Sequence, residues 1–584
     1  MRSMHANRET RANAIRQMQV SSIERPLDIL VIGGGVTGAG IALDSASRGL
    51  RTAVVEAQDW ASGTSSRSSK LVHGGLRYLQ MLDFKLVREA LAERDLLLTQ
   101  LAPHLVRPVP FLYPLTRPVW DRVLVGAGIG LYDVLASMRR GARALPWHRH
   151  LSRAGLARVY PGLRRSAAVG AIQYWDANVD DARLVTSLLR TAIGHGAYVA
   201  SRVQVIQILK DDNEAVTGAM LLDLETGLRY EVRAKRVISA TGVWTGETQA
   251  LAADDGLNVL ASKGVHIVVP RERITGDPGI ILQTASSVLF LIPWSRYWVI
   301  GTTDTPWDNG LRHPVPNARD IDYVLQEANS VLAKPLSHED IVGTWAGLRP
   351  LLQPESKIGT ATAKVSREHT VASPATNFFA IAGGKLTTYR VMAKDAVDFA
   401  LGAEADRYPS RTDRTPLVGA GDLAKAQAIA NDLVHRFELP ASIADHLVHR
   451  YGVEVADIAE ICATDRVAAQ TLGGAPAYLR AEIIFAIRAE GALHLDDLME
   501  RRTRINYEYS NWGMDAVEEV ASIATAELGW SAEDAIREIT AYRGAAVAYS
   551  EALRQEDDES AAAARGASKD LLPFRPFEIA AATD

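Results

Sequence analysis

The sequence is poor in cysteine: Cys462 is the only one in 584 residues. One thiol excludes an intramolecular disulfide framework, a four-thiolate zinc site and an iron–sulfur cluster held by cysteines, so we predict a chain for the reducing cytoplasm with no metal site. No stretch reaches about 18 uninterrupted apolar residues, which excludes an obvious transmembrane helix. The net charge of −5 gives no reason to expect nucleic-acid binding.

The length predicts a modular protein, because one compact core rarely serves more than about 150 to 250 residues. Residues 1–25 carry several arginines and no apolar core of a signal peptide, so we expect a disordered leader, with a mitochondrial-type targeting segment as the alternative. Residues 410–554 show Ala-, Leu- and Glu-rich helical periods and predict a helical domain. Residues 555–584 are expected to form a loosely attached tail.

A glycine-rich turn follows the first apolar run. Leu27–Ile32 is nearly unbroken in apolar residues, Gly33, Gly35 and Gly38 fit G-x-G-x-x-G, and Glu56 ends the next β-branched run. Strand, turn, helix and acid in this register predict a dinucleotide site, where the turn and the helix dipole hold a pyrophosphate and the acid holds a ribose. A purely structural glycine turn is the alternative.

Periodicity predicts further elements along the chain. Helices are expected at Lys85–Leu101, Asp181–Ile193 and Thr388–Leu401, a meander at Tyr198–Leu209, Val216–Leu224 and Tyr230–Ser239, a separate antiparallel sheet from Ser262 to Arg349, and a buried strand at Asn377–Ala382. The tryptophans Trp294, Trp298, Trp307 and Trp345 are interpreted as the core of that sheet.

Several motifs occur in one order: ASGTSSRSSKLVHGGLRYL (61–79), RVISATGVWTG (236–246), KGVHIVVP (263–270), IGTTDTP (300–306), GLRPLL (347–352) and FFAIAGGKLTTYR (378–390). Over about residues 27–400 they resemble the FAD-dependent, quinone-linked glycerol-3-phosphate dehydrogenases, relatives of D-amino-acid oxidase. The resemblance implies an α/β fold with a Rossmann-like FAD-binding domain of the glutathione-reductase type (26–260 and 350–405). It also implies an antiparallel substrate domain (100–150 and 261–349) and a helical C-terminal domain.

The resemblance also implies which residues bind FAD. They are Gly33, Gly35, Gly38, Glu56, Ser65, Ser66, Ser68, Ser69, Lys70, His73, Gly74, Val205, Gly242, Gly384, Lys385, Leu386 and Thr387. For the serine cluster a flexible polar loop is the alternative, and Val205 is expected to act through its backbone.

Glycerol 3-phosphate is a small dianion with a secondary alcohol, so its site needs cations and a group that takes a proton. The resemblance implies that Arg77, Tyr78, His266, Arg349 and Lys385 line that site, with His266 as general base and Arg349 and Lys385 as the other catalytic residues. Structural salt bridges are the alternative for the arginines, and core packing for Tyr78 and His266.

The activity implied is oxidation of sn-glycerol 3-phosphate to dihydroxyacetone phosphate, with hydride transfer to flavin N5 and electrons passed to a membrane quinone. Dioxygen as acceptor, an amine or amino-acid substrate, and a nucleotide-binding scaffold without turnover are the alternatives.

The segment Arg117–Arg140 has Trp120, Tyr132 and terminal arginines around an apolar middle, which is typical of a helix lying in the headgroup zone. We therefore expect peripheral attachment to the inner face of the cell membrane. A helix packed inside the protein is the alternative, and a homodimer is left open.

Overall fold

The computed structural model describes residues 4–76, 83–117, 119–137, 144–284, 288–353 and 369–574. The α-helices are α1 (Arg8–Gln19), α2 (Val36–Ser47), α3 (Phe84–Leu96), α4 (Trp120–Ser137), α5 (Arg153–Val159), α6 (Asp181–Gly194), α7 (Thr245–Gln249), α8 (Ala318–Asn329), α9 (Tyr389–Leu401), α10 (Leu423–Arg436), α11 (Ser442–Tyr451), α12 (Val455–Thr464), α13 (Arg480–Glu490), α14 (Ile505–Glu508), α15 (Met514–Leu528), α16 (Ala532–Ala552) and α17 (Asp558–Gly566).

The strands are β1 (Ile29–Ile32), β2 (Thr52–Glu56), β3 (Leu71–Val72), β4 (Arg107–Leu115), β5 (Arg149–Ser152), β6 (Gly170–Asn178), β7 (Tyr198–Ser201), β8 (Val203–Lys210), β9 (Val216–Asp223), β10 (Arg229–Arg233), β11 (Val237–Ser239), β12 (Val259–Pro270), β13 (Gly279–Gln283), β14 (Val288–Trp294), β15 (Tyr297–Gly301), β16 (Thr305–Pro306), β17 (Gly343–Leu352), β18 (His369–Ala375), β19 (Phe378–Gly383), β20 (Thr471–Leu472) and β21 (Ala475–Leu479).

A six-stranded sheet carries the predicted dinucleotide turn. Its order is β18-β19-β11-β1-β2-β7, and all neighbours are parallel except β18 and β19. Helices α2, α6 and α9 pack together on this unit. The four residues of β1 are fully buried, which explains the unbroken apolar run. The carboxyl ends of β1, β2, β11 and β19 therefore meet at one edge, where α/β proteins bind ligands.

The predicted meander exists but is shorter than expected. Strands β8, β9 and β10 form a three-stranded antiparallel sheet. The stretch 198–209 divides at Arg202, whose φ of +56° interrupts the extended backbone, and β7 joins the parallel sheet instead. The stretch 230–239 likewise ends in β11, which lies beside β1.

The large sheet has ten strands in the order β16-β12-β15-β14-β13-β4-β6-β3, with β17 paired to β12 and β5 paired to β6. The antiparallel sheet expected from Ser262 to Arg349 is thus confirmed. The predicted domain boundary is wrong at β3 and β6, which were assigned to the FAD-binding domain. They belong here because β6 pairs with β4 over nine residues and β3 pairs with β6.

The prediction of a disordered leader is wrong for residues 4–25, and residues 1–3 lie outside the described ranges. Helix α1 is capped by a reciprocal pair of hydrogen bonds between Asn7 and Thr10. It buries Ala14, Ile15 and Met18, and the last two belong to a core shared with β1, β2 and β7 to β10. Arg11 forms a salt bridge with Asp223, so an arginine that looked like part of a leader is a structural ion-pair partner.

The prediction of a loosely attached tail is also wrong for residues 555–574. Helix α17 packs against α16 and buries Ala561, and Asp558 forms an ion pair with the fully buried Lys263. A buried ammonium needs a carboxylate partner, and this requirement ties the tail to β12. Residues 575–584 lie outside the described ranges.

One face of helix α4 is buried in the protein and the other face is exposed. It buries Ile129, Tyr132, Asp133 and Ala136, whereas its opposite side is exposed. Tyr132, which the sequence placed at a membrane interface, is 1% exposed and donates a hydrogen bond to Asp176 at 2.7 Å. Within the described residues, no helix combines the length and the apolar character needed to span a bilayer.

Residues 410–554 are largely helical, as predicted, with the hairpin β20–β21 inserted. This domain docks on the parallel-sheet unit through buried ions. Arg502 donates two hydrogen bonds to Asp59, both at 2.7 Å, and Arg501 donates a third to the same carboxylate at 2.5 Å. Arg502 and Asp59 are each 1% exposed, so the pair is shielded from water.

We predict that Asp59→Asn lowers the free energy of unfolding by about 3 kcal/mol, because removing one partner leaves a buried guanidinium without its counter-charge. Urea unfolding followed by circular dichroism measures the change. The matched control is Glu518→Gln, which removes an exposed ion pair with Arg543 and should cost less than about 1 kcal/mol. Equal losses in both variants would contradict the role of the buried pair.

Candidate active site

The glycine turn lies between β1 and α2, and each of its three predicted glycines has a different structural role. Gly33 has φ +109°, and a Cβ there would lie 2.6 Å from the carbonyl oxygen of Ala240. A Cβ at Gly38 would lie 1.9 Å from the carbonyl oxygen of Gly33, so this glycine lets the helix pack onto the turn. Gly35 caps α2 without a side chain, and the first helical amide, that of Val36, donates to Ser65 Oγ at 2.9 Å.

A cavity of 530 Å³ opens at this edge of the parallel sheet. Of the predicted cofactor ligands, those that line it are Gly33, Gly35, Glu56, Ser65, Val205, Gly242, Gly384, Lys385 and Leu386. They come from the carboxyl ends of β1, β2, β11 and β19, from the turn Thr64–Ser66 and from the meander, segments far apart in the chain.

Glu56 lies at the end of β2, where an acid that binds ribose is expected. Its carboxylate accepts hydrogen bonds at 2.7 Å from the amides of Gly34 and Gln58. These bonds fix its orientation, and burial raises its pKa despite them.

A second cavity of 190 Å³ adjoins the first one. The two cavities share Thr64, Pro350, Gly384, Lys385 and Leu386. The residues predicted from the sequence that line the second cavity are Ser68, Ser69, His73, His266, Arg349, Gly384, Lys385, Leu386 and Thr387. A group bound in the first cavity would therefore meet a small ligand bound in the second along the Gly384–Leu386 segment.

Arg349, on β17, points its guanidinium into the smaller cavity. Nη2 donates to Thr302 Oγ1 at 2.8 Å, and Nη1 donates to the carbonyl of Thr303 at 3.1 Å and lies 3.4 Å from Asp304. The side chain remains 21% exposed. The guanidinium is therefore held in place and still accessible to an anion.

His266, on β12, lines the same cavity and is 2% exposed. Its ring stacks on Trp345 with centroids 5.2 Å apart, and Nε2 lies 2.8 Å from Ser69 Oγ. Nδ1 has no hydrogen-bond partner among the described residues. Burial, followed by the charges of Arg349 and Lys70, lowers the pKa of His266 well below its ordinary value, so the imidazole is neutral at neutral pH.

Lys70 was predicted to contact the cofactor, but in the structure its ammonium group binds other protein atoms. Nζ donates to Asp181 at 2.8 Å and to the carbonyl of Ser66 at 3.1 Å, and the residue is 2% exposed. Lys70 thus lines neither cavity. Burial has the largest effect on the pKa of the Lys70 ammonium and lowers it.

Three further predicted cofactor ligands, Gly38, Ser66 and Gly74, line neither cavity. The Gly74 amide donates to Tyr132 Oη at 2.8 Å, which makes this glycine part of the packing on α4. Arg77 and Tyr78 lie outside the described residues.

Sequence reasoning missed Arg67 and Thr64, which line the smaller cavity, and Trp345, which was interpreted only as sheet core. Arg67 and Thr64 lie in the same GTSSRSSK segment as the predicted serines, so the segment itself carried the signal. For Trp345 no local signal exists, because its contact with His266 depends on the pairing of β12 with β17.

These features fit a flavin dinucleotide. The glycines allow a close approach of the backbone to a diphosphate, the cavity joins four strand ends, and the Gly384–Leu386 turn separates a large site from a small one.

Comparisons with known proteins agree with this geometry. Residues 28–398 match the family of FAD dependent oxidoreductases, and residues 410–535 match the C-terminal domain of alpha-glycerophosphate oxidase. Glycerol-3-phosphate dehydrogenase 2 of Mycobacterium bovis is 50% identical over 540 residues, which cover 91% of this chain and 90% of that protein. The mitochondrial glycerol-3-phosphate dehydrogenase of Rattus norvegicus is 36% identical over 90% of this chain and 74% of its own length.

Among solved structures, the glycerol-3-phosphate dehydrogenase of Bacillus halodurans complexed with FAD superposes with a TM-score of 0.72 at 27% identity. The match covers 91% of this chain and 96% of that one. The chain therefore belongs to the family of FAD-dependent glycerol-3-phosphate dehydrogenases, and FAD is its cofactor.

Proposed function

We propose that the protein oxidises sn-glycerol 3-phosphate to dihydroxyacetone phosphate and passes the electrons to a quinone in the membrane. The observation that carries this proposal is the 190 Å³ cavity, which brings Arg349, Lys385 and His266 together beside the FAD cavity. Two cations and a neutral imidazole match a phosphorylated secondary alcohol. Relatives that are 50% and 36% identical over most of this chain carry the name glycerol-3-phosphate dehydrogenase.

In this proposal Arg349 and Lys385 bind the dianion. Thr302 and Thr303 hold the Arg349 guanidinium before the substrate arrives, so little side-chain entropy is lost on binding. Lys385 lines both cavities and so orients the alcohol carbon toward the cofactor. Bound FAD supplies the hydride acceptor that side chains lack.

His266 takes the hydroxyl proton in this proposal. Its lowered pKa keeps the ring unprotonated, and its contacts with Ser69 and Trp345 fix the ring plane. The neighbouring positive charges of Arg349 and Lys70 disfavour the imidazolium, so the proton must pass on to solvent or to a neighbour after each turnover.

Dioxygen is the second candidate acceptor. The match of residues 410–535 to the C-terminal domain of alpha-glycerophosphate oxidase favours it. Release of peroxide, compared with reduction of a quinone analogue in the same preparation, separates the two acceptors.

Attachment to the membrane surface is proposed through the apolar face of α4, defined as Trp120, Val123, Leu124, Leu131 and Val134 together with Val119, the residue before the helix. Their spacing of three and four residues puts them on one side of the helix, and Val119 and Trp120 are 72% and 65% exposed. Arg117, three residues before α4, is exposed, and so are Arg149 at the start of β5 and Arg153 at the start of α5. An exposed apolar stripe preceded by an exposed arginine is typical of a helix that lies in the headgroup region, and such a helix would give access to a lipid-soluble quinone.

We predict that Arg349→Ala weakens binding of glycerol 3-phosphate by about tenfold to a hundredfold, because a charge-assisted contact with the phosphate is lost. Anaerobic titration that follows bleaching of the flavin absorbance gives the apparent Kd. Arg543→Ala, on the exposed surface of the helical domain, is the control and should leave it unchanged. An Arg349→Ala enzyme with normal affinity and turnover would remove Arg349 from the site.

We predict that His266→Gln slows flavin reduction by about a hundredfold or more and changes the Kd for glycerol 3-phosphate much less, because a general base acts on the rate. In the wild type the rate of flavin reduction should stay level from pH 8 down to about pH 6.5, which is the ordinary pKa of a histidine side chain. It should fall only in more acidic solution, since the pKa of His266 is lowered. Stopped-flow measurements across this range test both points. A wild-type rate that is halved near pH 6.5 would contradict the assignment.

We predict that Trp120→Ser with Leu124→Ser lowers partitioning onto anionic phospholipid vesicles by about tenfold or more, because both exposed side chains lose their apolar contact with lipid. Co-sedimentation with vesicles measures the bound fraction. Val547→Ser, an equally exposed apolar position on α16, is the control. If all three proteins partition equally, α4 does not attach the protein to membranes.

A further inference from the structure

The segment 558–574, here called the C-terminal clasp, lies beyond both matched family regions, which end at residues 398 and 535. The family comparison therefore assigns it no role. The structure nevertheless fastens it to the rest of the chain at two separate places and brings its last described residue to the cofactor cavity.

The first attachment is at α17. Asp558 accepts hydrogen bonds from Lys263 and, at 2.6 Å, from Asn317 Nδ2. Lys263 is fully buried on β12 and also donates to Asp320 at 2.5 Å. Because the ammonium is shielded from water, releasing Asp558 would remove part of its charge compensation.

The second attachment is at the end of the clasp. The Asp570 carboxylate lies 3.1 Å from Arg312 Nε and 2.8 Å from His313 Nε2, and Arg312 Nη2 donates to the carbonyl of Leu572 at 2.8 Å. The Arg312 guanidinium lies 3.9 Å from the centroid of the Phe574 ring. The ring is thus held by a cation–π contact at one end of a chain of hydrogen bonds.

Phe574 lines the 530 Å³ FAD cavity. A smaller cavity of 110 Å³ beneath the clasp is lined by Arg312 and His313 and also by Gln58 and Ser62, which line the FAD cavity as well. Gln58 lies two residues after Glu56, the predicted ribose ligand. The clasp therefore reaches the FAD cavity on the side where the adenosine half of the cofactor is expected.

We infer that the C-terminal clasp completes the FAD site, with the Phe574 ring covering the adenosine side of the cofactor and slowing its release. An aromatic ring backed by a guanidinium presents a flat apolar face, which suits contact with a planar nucleobase. The inference rests on bound FAD and not on the proposed substrate, so FAD release can be measured without glycerol 3-phosphate.

The test is the rate at which the diluted holoenzyme releases FAD, read from the rise in free-flavin fluorescence. Phe574→Ala removes the ring, and Asp570→Asn weakens the attachment of the clasp to Arg312 and His313. Each variant should release FAD at least about fivefold faster than the wild type. Phe574→Tyr keeps the ring and should stay within about twofold of wild type. Ile536→Ala changes an exposed position on α16 and is the matched control; its rate of FAD release should also stay within about twofold of wild type.

Two results would overturn the inference: release from Phe574→Ala at the wild-type rate, or equal acceleration by Ile536→Ala, which would mean general loosening. A second measurement uses tryptic cleavage after Lys569, which is exposed within the clasp. Excess FAD should slow this cleavage in wild type and not in Phe574→Ala. Cleavage of the wild type that is independent of FAD would also contradict closure over the cofactor.

Discussion

The arrangement of the candidate active site depends on the hydrogen bonds that the buried carboxylate of Asp181 accepts. It stands at the first turn of α6 and accepts hydrogen bonds from Lys70 at 2.8 Å, from Arg504 at 2.6 Å and from Ser68 Oγ at 2.7 Å. One fully buried anion thus joins the serine segment, the parallel-sheet unit and the helical domain. Ser69, between two residues that bind this anion, is the hydrogen-bond partner of His266.

The neighbouring carboxylate strengthens this junction. Burial alone would raise the pKa of Asp180, but the charges of Arg504 and Arg450 hold it well below its ordinary value, so the residue is ionised. Removing one partner of a buried ion pair is strongly destabilising, because it leaves an uncompensated charge shielded from water. The helical domain is therefore part of the active-site architecture and not a separate appendage.

Local pattern was sufficient for the elements nearest the cofactor. The turn at Gly33, the buried strand β19 and helix α6 all follow from periodicity and turn chemistry over a few neighbouring residues. Contacts between distant segments were not predictable. Lys70 was assigned to the cofactor from its motif, and no local pattern indicates its ion pair with Asp181, which lies 111 residues away. The tail was expected to be loose because the partner of Asp558, Lys263, lies 295 residues away. Helix α1 was not predicted because its arginines are typical of a targeting leader, and the core that receives Ile15 and Met18 is built from distant segments.

The cationic cavity beside the FAD cavity is proposed to recognise the phosphate of a three-carbon alcohol. The most direct measurement is the anaerobic rate of flavin reduction in the wild-type holoenzyme mixed with glycerol 3-phosphate or with glycerol at equal concentration. The account predicts rapid bleaching with glycerol 3-phosphate and a rate at least about a hundredfold lower with glycerol, which lacks the phosphate group that Arg349 and Lys385 are proposed to bind. No bleaching by glycerol 3-phosphate, or equal rates with both compounds, would contradict it.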